Sequence, residues 1–216
     1  MKSILLILTI SINLLATNVN DFINKKNCDQ IIDKQVFNIC YSYKNKGALY
    51  VAYTLDGTLV NKTNIKKRPG FYTEKNIPNK YRSKSADYKK TGYDRGHLAN
   101  DASFDYDKKV QRKTYTMANV IPQAPNVNRR TWIKAERYER TVAVKLGKAT
   151  VINGVVYSAN PKRIGKNQIA VPDAYWKMIF NNNKQFQKCF YYKNDNNIKV
   201  KEDKLKQHQI ECSTLR

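Results

Sequence analysis

Only one stretch of this chain repeats with a helical period. From position 128 to about 146, Trp132, Ile133, Ala135, Val142, Ala143 and Leu146 form an apolar stripe, and Arg129, Arg130, Lys134, Arg137 and Arg140 lie mostly elsewhere. Gly147 is a natural stop. The other apolar stretches are short and read as strands: 36–43, 48–54, 150–157 and 186–192, with a segment at 169–180 split by Pro172. Asn45 with Gly47, and Asp56 with Gly57, supply turns, the second leading into Thr58-Leu59-Val60 as a further extended piece. A short extended piece at 115–121 ends at Pro122. One long helix among hairpin-linked strands predicts a single α+β domain on a mostly antiparallel sheet.

Residues 61–92 break this rhythm. They are polar, basic and rich in turn formers, and read as a long surface excursion, a kind of loop that more often serves function than packing. The whole chain is basic: 40 Lys and Arg against 17 Asp and Glu give a formal charge of +23 over 216 residues. With 41% hydrophobic residues it is too rich in core formers for a disordered polycation. The charge therefore points to a polyanionic partner held by a folded domain.

The first residues have a secretory layout. Lys2 precedes an apolar run from 4 to 16, too short to span a membrane comfortably, and Ala16 suits the position before a cut. The expectation is a signal peptide over 1–16, a mature domain over 17–216 with no stable membrane association, and export to the periplasm or the medium. Four cysteines suit that route. Of three pairings, the local one, Cys28 with Cys40 and Cys189 with Cys212, is expected. No C-x-x-C occurs, so a redox motif or zinc ribbon does not fit.

Hydrolysing a polyanion's phosphodiester needs an activated water and a cation against the phosphate charge. Only His97 and His208 can act as a neutral-pH base. His208 lies in a polar tail and reads as a solvated side chain. His97 ends the string Asp94-Arg95-Gly96-His97, where an extended backbone puts Arg95 and His97 on one side and Asp94 and Gly96 on the other. Alone, that string fits a packed or surface histidine as well as a catalytic one. Gly96 lets the backbone bend and a phosphate approach. On the helix, Asn128, Trp132 and Glu136 are spaced four apart on one face. They suit a hydrated hard cation, or equally a helix cap and a surface ion pair.

The string Asp94-Arg95-Gly96-His97-Leu98-Ala99, followed by Ala118-Asn119-Val120-Ile121-Pro122-Gln123 and by Asn126-Val127-Asn128-Arg129-Arg130-Thr131-Trp132 with Glu136, resembles the DNA/RNA non-specific endonucleases of the ββα-metal type. The resemblance extends over about 48–192. It implies a ββα-metal core, hydrolysis of DNA and RNA as substrates, and Mg²⁺ as cofactor, with Mn²⁺ an alternative. It also implies roles: His97 the general base, Asn128 the direct ligand of a hydrated Mg²⁺, Glu136 the acid that orients the metal's waters, and Arg95 the stabiliser of the phosphate. Asn119 supports the site and Asp94 is structural or adjacent to it. An upstream arginine contacts the phosphate, either Arg68 or Arg82, with Arg68 in KKRPGFY the better match. A homodimer is compatible with the family.

Two departures stand out. Asn100-Asp101 replaces a common Pro-Ala or Pro-Leu after His97 and should alter that loop. Arg129-Arg130 adds charge before Trp132 and should strengthen backbone binding. Three competing classes remain in view. A non-catalytic nucleic-acid-binding protein would not need His97, a membrane-active toxin lacks its amphipathic helix, and a zinc His–Asn–His nuclease lacks a second histidine near the first.

Overall fold

The sheet is built by alternation. In the computed structural model, which describes residues 16–215, successive side chains of each central strand point to two different cores. The expected signal peptide falls almost wholly outside the described residues. In chain order the elements are β1 (Gln30–Asp33), β2 (Asn38–Ser42), β3 (Gly47–Asp56), β4 (Asp94–His97), α1 (Lys108–Thr114), β5 (Val120–Gln123), α2 (Trp132–Leu146), β6 (Lys148–Val156), β7 (Arg163–Ile164), β8 (Ile169–Ala170), β9 (Ala174–Asn181), β10 (Phe186–Lys193) and β11 (Gln209–Ile210). Seven strands form one sheet in the order β1-β2-β3-β6-β9-β10-β11, each pair antiparallel.

Val51, Tyr53, Leu55, Val151, Tyr175 and Ile179 face the core that α2 covers. Ala52, Ile152, Trp176, Met178 and Phe180 face the second core, closed by Phe22 and Ile23 near the amino end and by the Cys189–Cys212 segment near the carboxyl end. Both disulfides have the expected local pairing, Cys28–Cys40 and Cys189–Cys212, with Cα atoms 5.0 and 5.3 Å apart, and both lie in this second layer. Among the described residues, no helix is long and apolar enough to cross a membrane.

The helix begins with a π turn over Val127–Thr131 and continues as α2, ending at Gly147 with φ +81°, a left-handed conformation that glycine adopts without strain. Its buried face holds Trp132, Ala135, Val142 and Ala143 as expected, with Glu139 in the middle. Three local expectations shift. The Thr58-Leu59-Val60 segment is a run of turns, closed by backbone bonds from Leu59 and Val60 to the Asp56 carbonyl. Residues 115–121 are only partly extended, because Met117–Asn119 form a 3₁₀ turn before β5. The 61–92 excursion also contributes to the interior: Ile77, Tyr88, Glu74, Ser83 and Asp87 are buried, and Tyr72 bridges Thr116.

Candidate active site

β4 and β5 form a separate two-stranded ribbon in which Asp94 faces Gln123 and His97 faces Val120. The ribbon leads directly into the π turn and α2, so two strands and one helix bring together the segments singled out in the sequence. Asn194 ties this unit to the sheet, accepting from the Ala124 amide at 2.7 Å and donating to the carbonyls of Pro122 and Pro172.

The predicted alternation along β4 holds. On one face, Asp94 Oδ2 accepts the Asn128 side-chain amide at 2.9 Å, and Arg129 grips both carboxylate oxygens at 2.7 and 2.6 Å. Burial pushes the Asp94 carboxyl up, and these donors more than offset that, leaving it below the usual carboxylate range. Because the Asn128 amide nitrogen is committed to Asp94, its carbonyl oxygen is the end left to meet a cation. Asn128 lies inside the π turn, a helix irregularity frequent at functional sites.

On the other face, the His97 ring lies against Phe71 and Tyr115, with centroids 5.2 and 4.8 Å away. Its Nε2 is buried without a hydrogen-bond partner in the protein. Burial, helped by the nearby Arg68 guanidinium, lowers its pKa to about 4, so the imidazole is neutral at neutral pH. Arg95 shares this face: its guanidinium stacks over Phe71 at 4.9 Å and donates to Ser85 Oγ at 2.5 Å. Gly96 has a reason different from phosphate approach, since an added Cβ would lie 2.0 Å from the fully buried Gln123 side chain.

Asn119 is fully buried and fully used. It accepts from the Ala99 amide at 2.9 Å and donates to the carbonyls of Ala99 and Thr114, pinning the loop after His97. Arg68 pairs with Asp101 in that same loop, whereas Arg82 donates to the carbonyls of Ile77 and Lys75 and so braces its own loop. Glu136 lies two turns along the helix from Asn128. Burial raises its pKa to about 7, opposed by the Lys177 charge and reinforced by Glu139.

The Asn100-Asp101 departure now has a structural use. Asn100 caps the next turn through Ser103, and its amide donates to Glu139 at 2.6 Å. Glu139 also receives Ser103 Oγ and Tyr53, and forms an ion pair with Lys177 in which both side chains are 0% exposed. Lys177 sits over the Trp132 ring at 4.8 Å. Asn153 completes the network by donating to the Leu98 carbonyl at 3.0 Å, one residue past His97. A buried charged network therefore joins the sheet, the helix and the His97 loop. Sequence reasoning missed Glu139, Lys177 and Phe71. The signal for the first two was a lone charge inside each of two apolar stripes.

Arg129 is largely spent on Asp94, so of the added pair only Arg130 stays unengaged at the surface among the contacts described. Lys62, Lys66, Lys67, Lys80, Lys84, Lys89 and Lys90 are all exposed, as expected of a basic surface excursion. His208 differs from its expected solvated state. It stacks on Tyr192 at 3.9 Å and meets Asp203 at 2.5 Å. Among the described residues no group of three or more His, Cys, Asp or Glu is placed to hold a metal ion.

The model of the DNA/RNA non-specific endonuclease family matches residues 16–215. The chain is 28% identical over 160 residues to mitochondrial endonuclease G of Homo sapiens, covering 69% of this chain and 54% of that protein. It is 28% identical over 147 residues to a nuclease of Nostoc sp., covering 68% and 52%. With a salivary endonuclease of Lutzomyia longipalpis it shares 26% over 193 residues, covering 76% and 47%. It spans about half the length of these curated relatives. The fold matches a chain of the solved EndoG/EndoGI complex with a TM-score of 0.78 at 22% identity, covering 86% of this chain and 81% of that one. A family match that runs through the ribbon, the π turn and α2 makes this chain a member of the DNA/RNA non-specific endonuclease family.

Proposed function

We propose that this protein is an exported, divalent-metal-dependent endonuclease that hydrolyses DNA and RNA phosphodiesters with little sequence preference. The observation that carries this is the division of labour on β4: Asp94 fixes the Asn128 amide on one face, and His97, a neutral imidazole near the Arg68 guanidinium, lies on the other. The His97 imidazole takes the proton from the attacking water, a role open to a histidine that is uncharged at working pH. Arg95, held by Ser85 and Phe71, offers a preoriented guanidinium to the phosphate oxygens. Arg68 adds positive charge beside His97.

The donor set fits a hydrated hard cation. Asn128 presents one neutral oxygen and Glu136 one carboxyl two turns away, the sparse ligation that Mg²⁺ accepts. When bound, Mg²⁺ (or Mn²⁺) neutralises phosphate charge and helps the leaving oxygen. The exposed lysines of 61–92 supply affinity for the backbone without reading bases. Two disulfides and the leader-like start support export. Relatives differ in address, since some are named mitochondrial and one salivary.

The test is digestion of supercoiled plasmid and of total RNA by the purified protein with Mg²⁺, with EDTA, and with His97→Ala. Both substrates should be degraded, EDTA should stop the reaction, and His97→Ala should lower the rate by at least about a hundredfold, the usual worth of a general base. Binding without cleavage under every common divalent ion would replace this proposal with a non-catalytic nucleic-acid-binding role.

A further inference from the structure

Beside Arg95 the surface holds a concavity whose lining does not include His97, Asn128 or Glu136. It is a cavity of about 510 Å³ walled by Ser85, Tyr88, Lys89, Tyr93 and Arg95. Its volume is within the range of small-ligand sites and is sufficient for one nucleotide. Its wall is preformed: Tyr88 is buried with its hydroxyl on the Val120 carbonyl, and Arg95 is fixed by Ser85. Tyr93 is half-buried, and the Lys162 ammonium lies 5.3 Å from its ring centroid. Lys89 is exposed at the rim, presented by a tight turn in which Lys90 has φ +59° and Gly92 φ +82°.

The one acid on this wall, Asp94, is paired with Arg129 and accepts the Asn128 amide. The cavity therefore offers an aromatic face and cations, with no free carboxylate to repel a phosphate. Proteins that grip single strands combine these two features, a ring for the base and positive charge for the backbone. We infer that this cavity is a nucleotide subsite, in which the base next to the phosphate held at Arg95 stacks on Tyr93 and its outer phosphate meets Lys89 and Lys162. The subsite rests on the nuclease proposal for its place along the strand. Its binding chemistry can be tested without cleavage.

The experiment measures binding of a fluorescent thymidine hexamer and of a matching abasic hexamer by anisotropy, in EDTA, so that no strand is cut. The readout is the ratio of the two affinities. Tyr93→Phe keeps a ring and should keep the wild-type ratio. Tyr93→Leu keeps apolar volume without a π face and should lower the ratio about tenfold, the worth of one stacked base. Lys162→Ala should weaken both hexamers alike and reduce the salt dependence by about one phosphate contact. Tyr93→Leu with a wild-type melting temperature and an unchanged ratio would overturn the subsite. A wild type that binds with the expected ratio yet cleaves nothing in Mg²⁺ would instead remove the nuclease proposal and leave the subsite standing.

Discussion

The Asn128 amide donates to Asp94 Oδ2 across 2.9 Å, so a carboxylate on the ribbon sets which end of a helix side chain is free. Asp94→Ala should let that amide turn over and should release Arg129. The expected result is a ten- to hundredfold lower cleavage rate and a higher Mg²⁺ requirement, the usual cost of losing a group that orients a ligand. A Mg²⁺ titration of the initial rate checks this. An unchanged titration curve would mean that the Asn128 orientation does not matter.

Lys177 and Glu139 form a fully buried ion pair whose carboxylate also receives Asn100 and Ser103. Lys177→Met alone leaves that carboxylate without its cation and should cost about 3–5 kcal/mol. The double variant Lys177→Met with Glu139→Gln should recover most of this loss. Urea denaturation of the two variants measures both values, and equal instability would show that the charges are not coupled.

His97 gives stability a definite pH dependence. Its folded pKa, about 4, lies below the ordinary 6.5, so protonation favours the unfolded chain. The stability is complete above pH 6.5 and lost as pH falls towards 4, by up to about 3 kcal/mol. His97→Asn should flatten this acid arm. Glu136 runs the other way: its value is raised from 4.5 to about 7, so its contribution is present below pH 4.5 and lost as pH rises through 7. Melting curves of wild type and His97→Asn between pH 4 and 7.5 separate the two.

Both disulfides lie in the layer behind the sheet, away from the ribbon and helix. Replacing Cys28 and Cys40 by serine should cost about 3 kcal/mol through the unfolded chain. The specific activity of the variant well below its melting point should stay within about twofold of wild type, because no catalytic group packs on that bridge. A loss of rate without a loss of fold would contradict this layering.

How much of this was legible from residues alone depends on the range of the forces involved. The helix showed because its stripe is local, and Arg95 and His97 shared a face because strand period is a backbone property. The disulfide pairing was legible because its loops are short. α1 was not, since Lys-Lys-Val-Gln-Arg-Lys-Thr carries no stripe and is fixed by Asp107 capping Lys109 and Val110. β1 was missed as well, because only Ile32 of its four residues is buried. The packing of His208 was not legible because Tyr192, the ring it stacks on, comes from β10. Phe71 lies within a loop without periodicity, where only tertiary closure shows that its ring contacts both Arg95 and His97.

The alternation of β4 also limits how genes of this kind can drift. Asp94 and His97 are three positions apart and therefore on opposite sides of the ribbon. Adding or removing a single residue between them would swing one onto the other's side and leave the site with two groups where it needs one. Length changes in 61–92 are confined to its exposed turns, because Glu74, Ile77, Ser83, Asp87 and Tyr88 are buried. The four-letter word at the centre is held to its length by the same alternation that divides its two faces.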